Sequence, residues 1–277
     1  MGVAVILAVV AGVGAAGYWA VNALGRSASG STCSATAAGA TVRFSTEQTA
    51  NAALIAAVSE KRGLPARAAT IAIATAIQES KLRNLTFGDR DSVGLFQQRP
   101  SMGWGTRDQV LDPVYSTNKF YDALVKIEGY ESMEITKVAQ AVQRSAYPLA
   151  YADHEQEGRI LASTLRGHSP AGLVCDPGAI ESGSDSAAVA ADLSNQYGIA
   201  STVDGAVLTV TAASAEQAWG AAQWAVARAD SYGVDRVQVG DRVWSRLDDP
   251  GTWTSGAPMS AGGTATTVTI RLGGVQP

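Results

Sequence analysis

The stretch PARAATIAIATAIQES, residues 65–80, decides how this chain is read. Pro65 opens it, and from there to Ile77 alanine, isoleucine and threonine fill nearly every position, so no side of the helix they form is polar. A helix that is apolar all round is buried, which predicts the central helix of a compact α-domain. Glu79 sits in its last turn. Burial and the negative end of the helix dipole both disfavour a carboxylate there, so its pKa is expected above the ordinary range. A carboxylic acid still protonated near neutral pH is the group that general-acid cleavage of a glycosidic bond requires.

Upstream, Ser45 and Gln48 have capping-box spacing ahead of TANAALIAAVSEKRG, whose Gly63 is a stop signal. Downstream, further helical stretches cover residues 114–127, 135–144 and 150–166. These elements define an α-helical domain over residues 42–175, preceded by a Ser/Thr/Ala/Gly linker at 27–41. A second linker, DPGAIESGSDSA, spans 176–187. Residues 188–277 then alternate helix and strand: a helix to 197, a strand at 206–212, and a helix at 215–232 with Ser214 and Gln217 as its capping box. Val237, Val239, Val243 and Trp244 flank a Gly240-Asp241 hairpin signal, and TTVTIRL closes the pattern. The expected fold is therefore a mainly α domain followed by a small α+β module.

Charge supports that division. The 277 residues carry 21 Lys and Arg against 25 Asp and Glu, a net charge of −4. Residues 1–40, 41–175 and 176–277 contribute +1, +1 and −6. The acidity belongs to the C-terminal third, and nothing resembles the basic surface of a nucleic-acid binder. With 46% hydrophobic residues the chain can bury a core.

Residues 3–24 are uncharged, about 33 Å as a helix, and read as a signal peptide or membrane anchor occupying residues 1–26. The expected location is extracellular or in the cell envelope, with a membrane contact through that segment if it is not cleaved. Gly12, Gly14 and Gly17 match GxGxxG, but the first acidic residue is Glu47, too late to hold a ribose hydroxyl. Export gives the two cysteines a meaning: Cys33 and Cys175 bracket the α-domain, and a bridge between them ties its ends together. Cys33, His154, His168 and Cys175 are too scattered for a zinc site, so neither metal nor cofactor is expected.

After AIQES come GDRDS (88–92) and GLFQQRP (94–100). This ordered triple resembles the lysozyme-like superfamily, in particular goose-type lysozymes and soluble lytic transglycosylases. Glu79 and Ser80 match the catalytic Glu-Ser, Gly94, Leu95 and Gln97 match Gly-Leu-x-Gln with Phe96 in place of Met, and Gly88 to Arg90 match a goose-type GDR. The resemblance covers roughly residues 47–165. It implies a muramidase or lytic transglycosylase acting on peptidoglycan glycan strands, with Glu79 as the acid and Asp89 as the candidate second catalytic group. Ser80, Gln97, Gln98, Arg99, Gln143 and Tyr147 are then substrate-binding candidates, with Trp104 packing on a sugar face.

Two departures stand out. AVQRSAYP (141–148) occupies the place of a family Ala-Tyr-Asn-Ala-Gly stretch, so Gln143 and Arg144 replace Tyr and Asn, and Tyr147 or Tyr151 is left to supply a hydroxyl. The aspartate that follows the goose-type Gly-Leu-Met-Gln is absent, with Arg99 nearest. The second group decides the outcome. A carboxylate, Asp89 or Asp91, that activates water gives hydrolysis, whereas attack by the muramyl 6-hydroxyl gives a 1,6-anhydro end. A different class of function, a non-catalytic wall-binding or secretion-associated protein that keeps the cleft, is the alternative. Ser-His-Asp catalysis lacks a GxSxG elbow, and His154 reads as a helix-face residue. Trp219, Trp224, Trp244 and Trp253 crowd the C-terminal region, where helical spacing favours a core role.

Overall fold

The computed structural model describes residues 31–144, 149–180, 183, 185–256 and 265–274. The apolar segment 3–24 and Tyr147 lie outside them. Among the described residues no helix is long and apolar enough to cross a membrane.

Helices α1 (Thr46–Lys61) and α2 (Ala66–Ser80) are joined by Arg62 to Pro65. At the start of α1, Ser45 Oγ accepts from the Gln48 N–H and Gln48 Oε1 accepts from the Ser45 N–H, closing the capping box. Around these two helices lie α3 (Arg107–Leu111), α4 (Pro113–Leu124), α5 (Ile135–Gln143), a 3-10 turn at Ala150–His154, and α6 (Glu155–Leu165). From Ala68 to Ile77 every residue of α2 is buried. Its broadest partner is α6, and Gly158 makes their approach possible: a Cβ there would lie 2.8 Å from the Thr70 carbonyl oxygen and 3.1 Å from Ala74 Cβ.

The mainly α expectation is overturned. Strands β1 (Thr32–Ala37), β2 (Ala40–Ser45) and β3 (Leu173–Asp176) form an antiparallel sheet in the order β2-β1-β3. Six more strands form a second antiparallel sheet, so the chain is an α+β fold. Much of the supposed 27–41 linker is thus the first hairpin. Ala38 and Gly39, with φ of 50° and 76°, make the tight turn whose twist matches paired strands. Cys33, Ala35 and Ala37 point inward and are small, which is why the stretch has a linker's composition while carrying a strand's alternation. Cys33 lies opposite Cys175 in the β1–β3 pairing, and the two are disulfide-bonded.

The C-terminal part holds α7 (Ser186–Tyr197), β4 (Ser201–Asp204), β5 (Val207–Thr211), α8 (Ala215–Ala227), α9 (Ala229–Tyr232), β6 (Val234–Val239), β7 (Arg242–Ser245), β8 (Asp249–Ser255) and β9 (Thr267–Leu272). Its sheet runs β4-β5-β9-β6-β7-β8. It does not hang from a free linker. Gln223 of α8 is fully buried, donates to the Thr164 carbonyl at 2.5 Å and accepts from the Leu173 N–H at 2.8 Å. Trp253 Nε1 donates to the Leu173 carbonyl at 2.8 Å. Arg246, buried beside them, donates to the carbonyls of Pro177, Gly178 and Ala179, so the start of the 176–187 stretch is clamped, and α7 begins at Ser186 within it. Trp224, Trp244 and Trp253 are buried, with Trp219 packed against them, in one core continuous with that of α1 and α2.

Candidate active site

A groove of about 900 Å³ opens across the C-terminal end of α2, between the loop at 88–104 and the ends of α4 and α5. Glu79 lies in its wall, half-buried. The helix ends just beyond it through two left-handed residues, Lys81 and Leu82, with φ of 54° and 56°. Non-glycine residues hold that conformation only where the surroundings impose it. Here Gln48 and Asn51 of α1 each donate to one of the two carbonyls, Lys81 and Leu82, at 2.8 Å. The last turn of α2 is thereby fixed in place.

Ser80 faces the other way. It is buried, and its hydroxyl donates to the Leu95 carbonyl at 2.7 Å while the Arg83 N–H donates to it. Ser80, a substrate-binding candidate, is not among the residues that line the groove: the residue after Glu79 is turned about 100° round the helix and ties α2 to the 94–98 segment. That segment is itself pinned, since the Gly94 N–H donates to Leu85 O at 2.7 Å and a Cβ at Gly94 would meet the Val110 carbonyl at 2.7 Å.

Tyr151, wholly buried on the 3-10 turn, points its hydroxyl at Glu79 Oε1 at 2.5 Å. Burial pushes the Glu79 carboxyl up; the Tyr151 hydroxyl and then the Gln143 amide act in the opposite direction without cancelling it. Gln143, the last residue of α5, also donates to the Phe96 carbonyl at 2.7 Å, so it links the 94–98 segment to the acid. Tyr151, one of the two tyrosines left open by the sequence, is placed on Glu79; Tyr147 lies outside the described residues.

The remaining candidates divide. Asp89 lines the groove, but its side chain is 90% exposed at the rim, with Arg90 Nε 3.9 Å away. Asp91 is occupied elsewhere: it accepts from the Ser101 N–H at 2.7 Å, from Arg99 Nε at 3.0 Å and from the Ser101 hydroxyl, which holds its carboxyl well below the usual range. Arg99 therefore lines the groove while braced on Asp91. Gln97, at φ 46°, lies in the wall with its amide donating to Gly94 O and Phe87 O. Gln98 is buried and donates to the Ser116 carbonyl at 3.2 Å, so it builds the wall more than it offers a free donor. Trp104 is half-buried and presents part of its ring to the groove.

The sequence reading missed Lys126, Ile127 and Met102, which line the same groove. Nothing in their local sequence marks them, because the groove is assembled from segments that meet only in the fold. Among the described residues no group of His, Cys, Asp and Glu could hold a metal ion. A comparison with models of known protein families finds no match for this chain, and a comparison with curated proteins finds none either.

Proposed function

We propose that this protein cleaves the glycan strands of peptidoglycan, with Glu79 as the general acid. The observation that carries the reading is the Glu79 site itself: a carboxyl at the end of a buried helix, desolvated, held by the Tyr151 hydroxyl, and opening on a groove of about 900 Å³. Such an acid remains protonated at higher pH than an ordinary glutamate and is in position to protonate a leaving-group oxygen. As the bond breaks Glu79 becomes a carboxylate, and the Tyr151 hydroxyl then donates to a full charge, an interaction stronger than with the neutral acid. The AIQES, GDR and GLFQ motifs supply the substrate class, through their resemblance to goose-type lysozymes and soluble lytic transglycosylases.

Internal attack by the muramyl 6-hydroxyl, which hands its proton to the Glu79 carboxylate and so restores the acid, fits the carboxylates better than hydrolysis. Asp91 is engaged by Arg99 and Ser101, and Asp89 stands exposed at the rim rather than in a pocket that would order a water. We further propose that the chain acts outside the cytoplasm, a setting in which the Cys33–Cys175 disulfide persists. Mass spectrometry of the fragments released from purified sacculi tests the reading. Fragments with 1,6-anhydro ends are expected; absence of any release by the folded protein removes the proposal in favour of a wall-binding role.

A further inference from the structure

The groove has a charge opposite to that of the chain. Arg90, Arg99, Lys126 and Arg144 line it against only Glu79 and Asp89, in a protein whose net charge is −4. Arg99 is braced on Asp91, and Arg90 stands near Asp89. Lys126 and Arg144 differ from both. Each is exposed, and among the described residues neither side chain has an ion pair or a hydrogen bond.

These two cations belong to one wall. Lys126 lies in the turn that ends α4, with its N–H on the Ala123 carbonyl, and Arg144 is the left-handed cap of α5, with its N–H on the Gln140 carbonyl. Helices α4 and α5 pack together. A cation at a helix C-terminus complements the dipole wherever it points, so that effect does not account for both lining the same groove beside Gln143. A neutral glycan needs amide and hydroxyl partners and a ring face, which Gln97 and Trp104 supply. It gains nothing from two cations that have no partner among the described residues and lose hydration when it binds.

We propose that Lys126 and Arg144 form a subsite for an anionic substituent of the glycan strand held beside Glu79. The inference rests on the glycan-cleaving reading and names what that groove selects. The anion is either a carboxylate borne by the muramyl residue or a phosphodiester of a polymer attached to the strand; both present oxygens that a lysine and an arginine bind alike.

Binding is measured by calorimetry on the full chain carrying Glu79→Gln, so that no probe is consumed. The probes are a neutral β-1,4-linked N-acetylglucosamine hexamer and a hexamer of the same length in which alternate sugars are N-acetylmuramic acid with free carboxylates. The expected result is tighter binding of the anionic hexamer by about tenfold at low salt, as two partly exposed ion pairs give. The preference should vanish at roughly 0.5 M salt, where screening is short-ranged, and also on adding Lys126→Ala and Arg144→Ala with unchanged circular dichroism. Poly(glycerol phosphate) is the competing probe. Displacement at lower concentration than the muramyl hexamer requires, lost in the triple variant, supports the subsite and assigns it to phosphate; weaker displacement assigns it to carboxylate.

Equal affinity for the two hexamers, or a preference that survives both alanines, overturns the proposal. If wild-type protein releases nothing from sacculi yet the preference holds and disappears with the alanines, cleavage is wrong and the anion subsite stands. Release of fragments with no preference for the anionic hexamer leaves cleavage standing and removes the subsite.

Discussion

The Tyr151 hydroxyl lies 2.5 Å from Glu79 Oε1, joining a 3-10 turn to the end of a helix that closed 70 residues earlier in the chain. A phenol donating to a carboxyl favours its charged form, so this contact opposes the burial that raises the Glu79 pKa. Tyr151→Phe should therefore move the alkaline limb of the pH–activity profile to higher pH. Turnover should fall by about tenfold or somewhat more, because the developing carboxylate loses a charge-assisted hydrogen bond. A pH profile of the variant on soluble glycan checks both. A downward shift of the limb would mean that Tyr151 does not donate to Glu79.

Glu79→Gln keeps the shape and removes the proton. Cleavage should fall by about 10² to 10⁴-fold, the range typical of losing a general acid. Stability should move the other way. A carboxyl whose folded pKa exceeds its unfolded value destabilises the fold as pH rises from the unfolded towards the folded pKa, and the penalty is fully present above both. The amide never ionises. The variant should thus match the wild type in Tm below the usual glutamate range and exceed it above the folded pKa, with equal Tm at every pH counting against a desolvated acid. Wild-type activity should decline through the same upper range, as the acid loses its proton.

Helix α2 and its acid are legible in the sequence because both are local: an uninterrupted apolar run fixes a buried helix, and Glu79 needs only its place at the end of it. The first sheet is not, since β1 is built from small and hydroxylic residues, and its partner β3 lies about 140 residues away, where only the cysteine pairing hints at contact. Tyr151 reaches Glu79 from a short 3-10 turn that the helical stretch read over residues 150–166 does not distinguish from α-helix. Ser80 illustrates the converse failure: a motif places it beside the acid, but helical geometry sends adjacent residues to different faces.

The cysteine bridge closes a loop of 142 residues between the first and third strands of the sheet. In the chain-entropy treatment such a loop contributes up to about 5 kcal/mol through the unfolded state. Replacing both cysteines by serine should lower the urea midpoint accordingly, and titration of the denatured, unreduced protein should find no free thiol. Two reactive thiols per chain would refute the bridge.

Gln223 is the test of whether the C-terminal part is separable. Its amide joins Thr164, at the end of α6, to Leu173, at the start of β3, from within α8. Gln223→Leu keeps the volume but strands the buried Leu173 N–H, which costs about 1 to 3 kcal/mol, while the Thr164 carbonyl keeps the Gly167 N–H at 2.9 Å. A loss of about 1 to 3 kcal/mol in one cooperative unfolding transition is expected. A chain ended near Pro177 should fail to fold, since it exposes the apolar sides of α1 and β3 that α7, α8 and β8 cover. Two separate transitions, or a well-folded truncation, would show that the shared core is dispensable.

Asp89 decides the reaction outcome. If a rim carboxylate activated water across the sugar ring, Asp89→Asn would suppress cleavage about as strongly as Glu79→Gln, because an inverting hydrolase needs its base as much as its acid. With the Asp89 side chain 90% exposed and Asp91 held by Arg99 and Ser101, no such base is organised in the groove among the described residues. The expected loss for Asp89→Asn is therefore less than about tenfold, the scale of a surface charge that steers or orients substrate. The released ends should remain 1,6-anhydro. Reducing ends in the wild-type products, abolished by Asp89→Asn, would instead make the enzyme a hydrolase whose loop closes over the glycan and brings Asp89 inward.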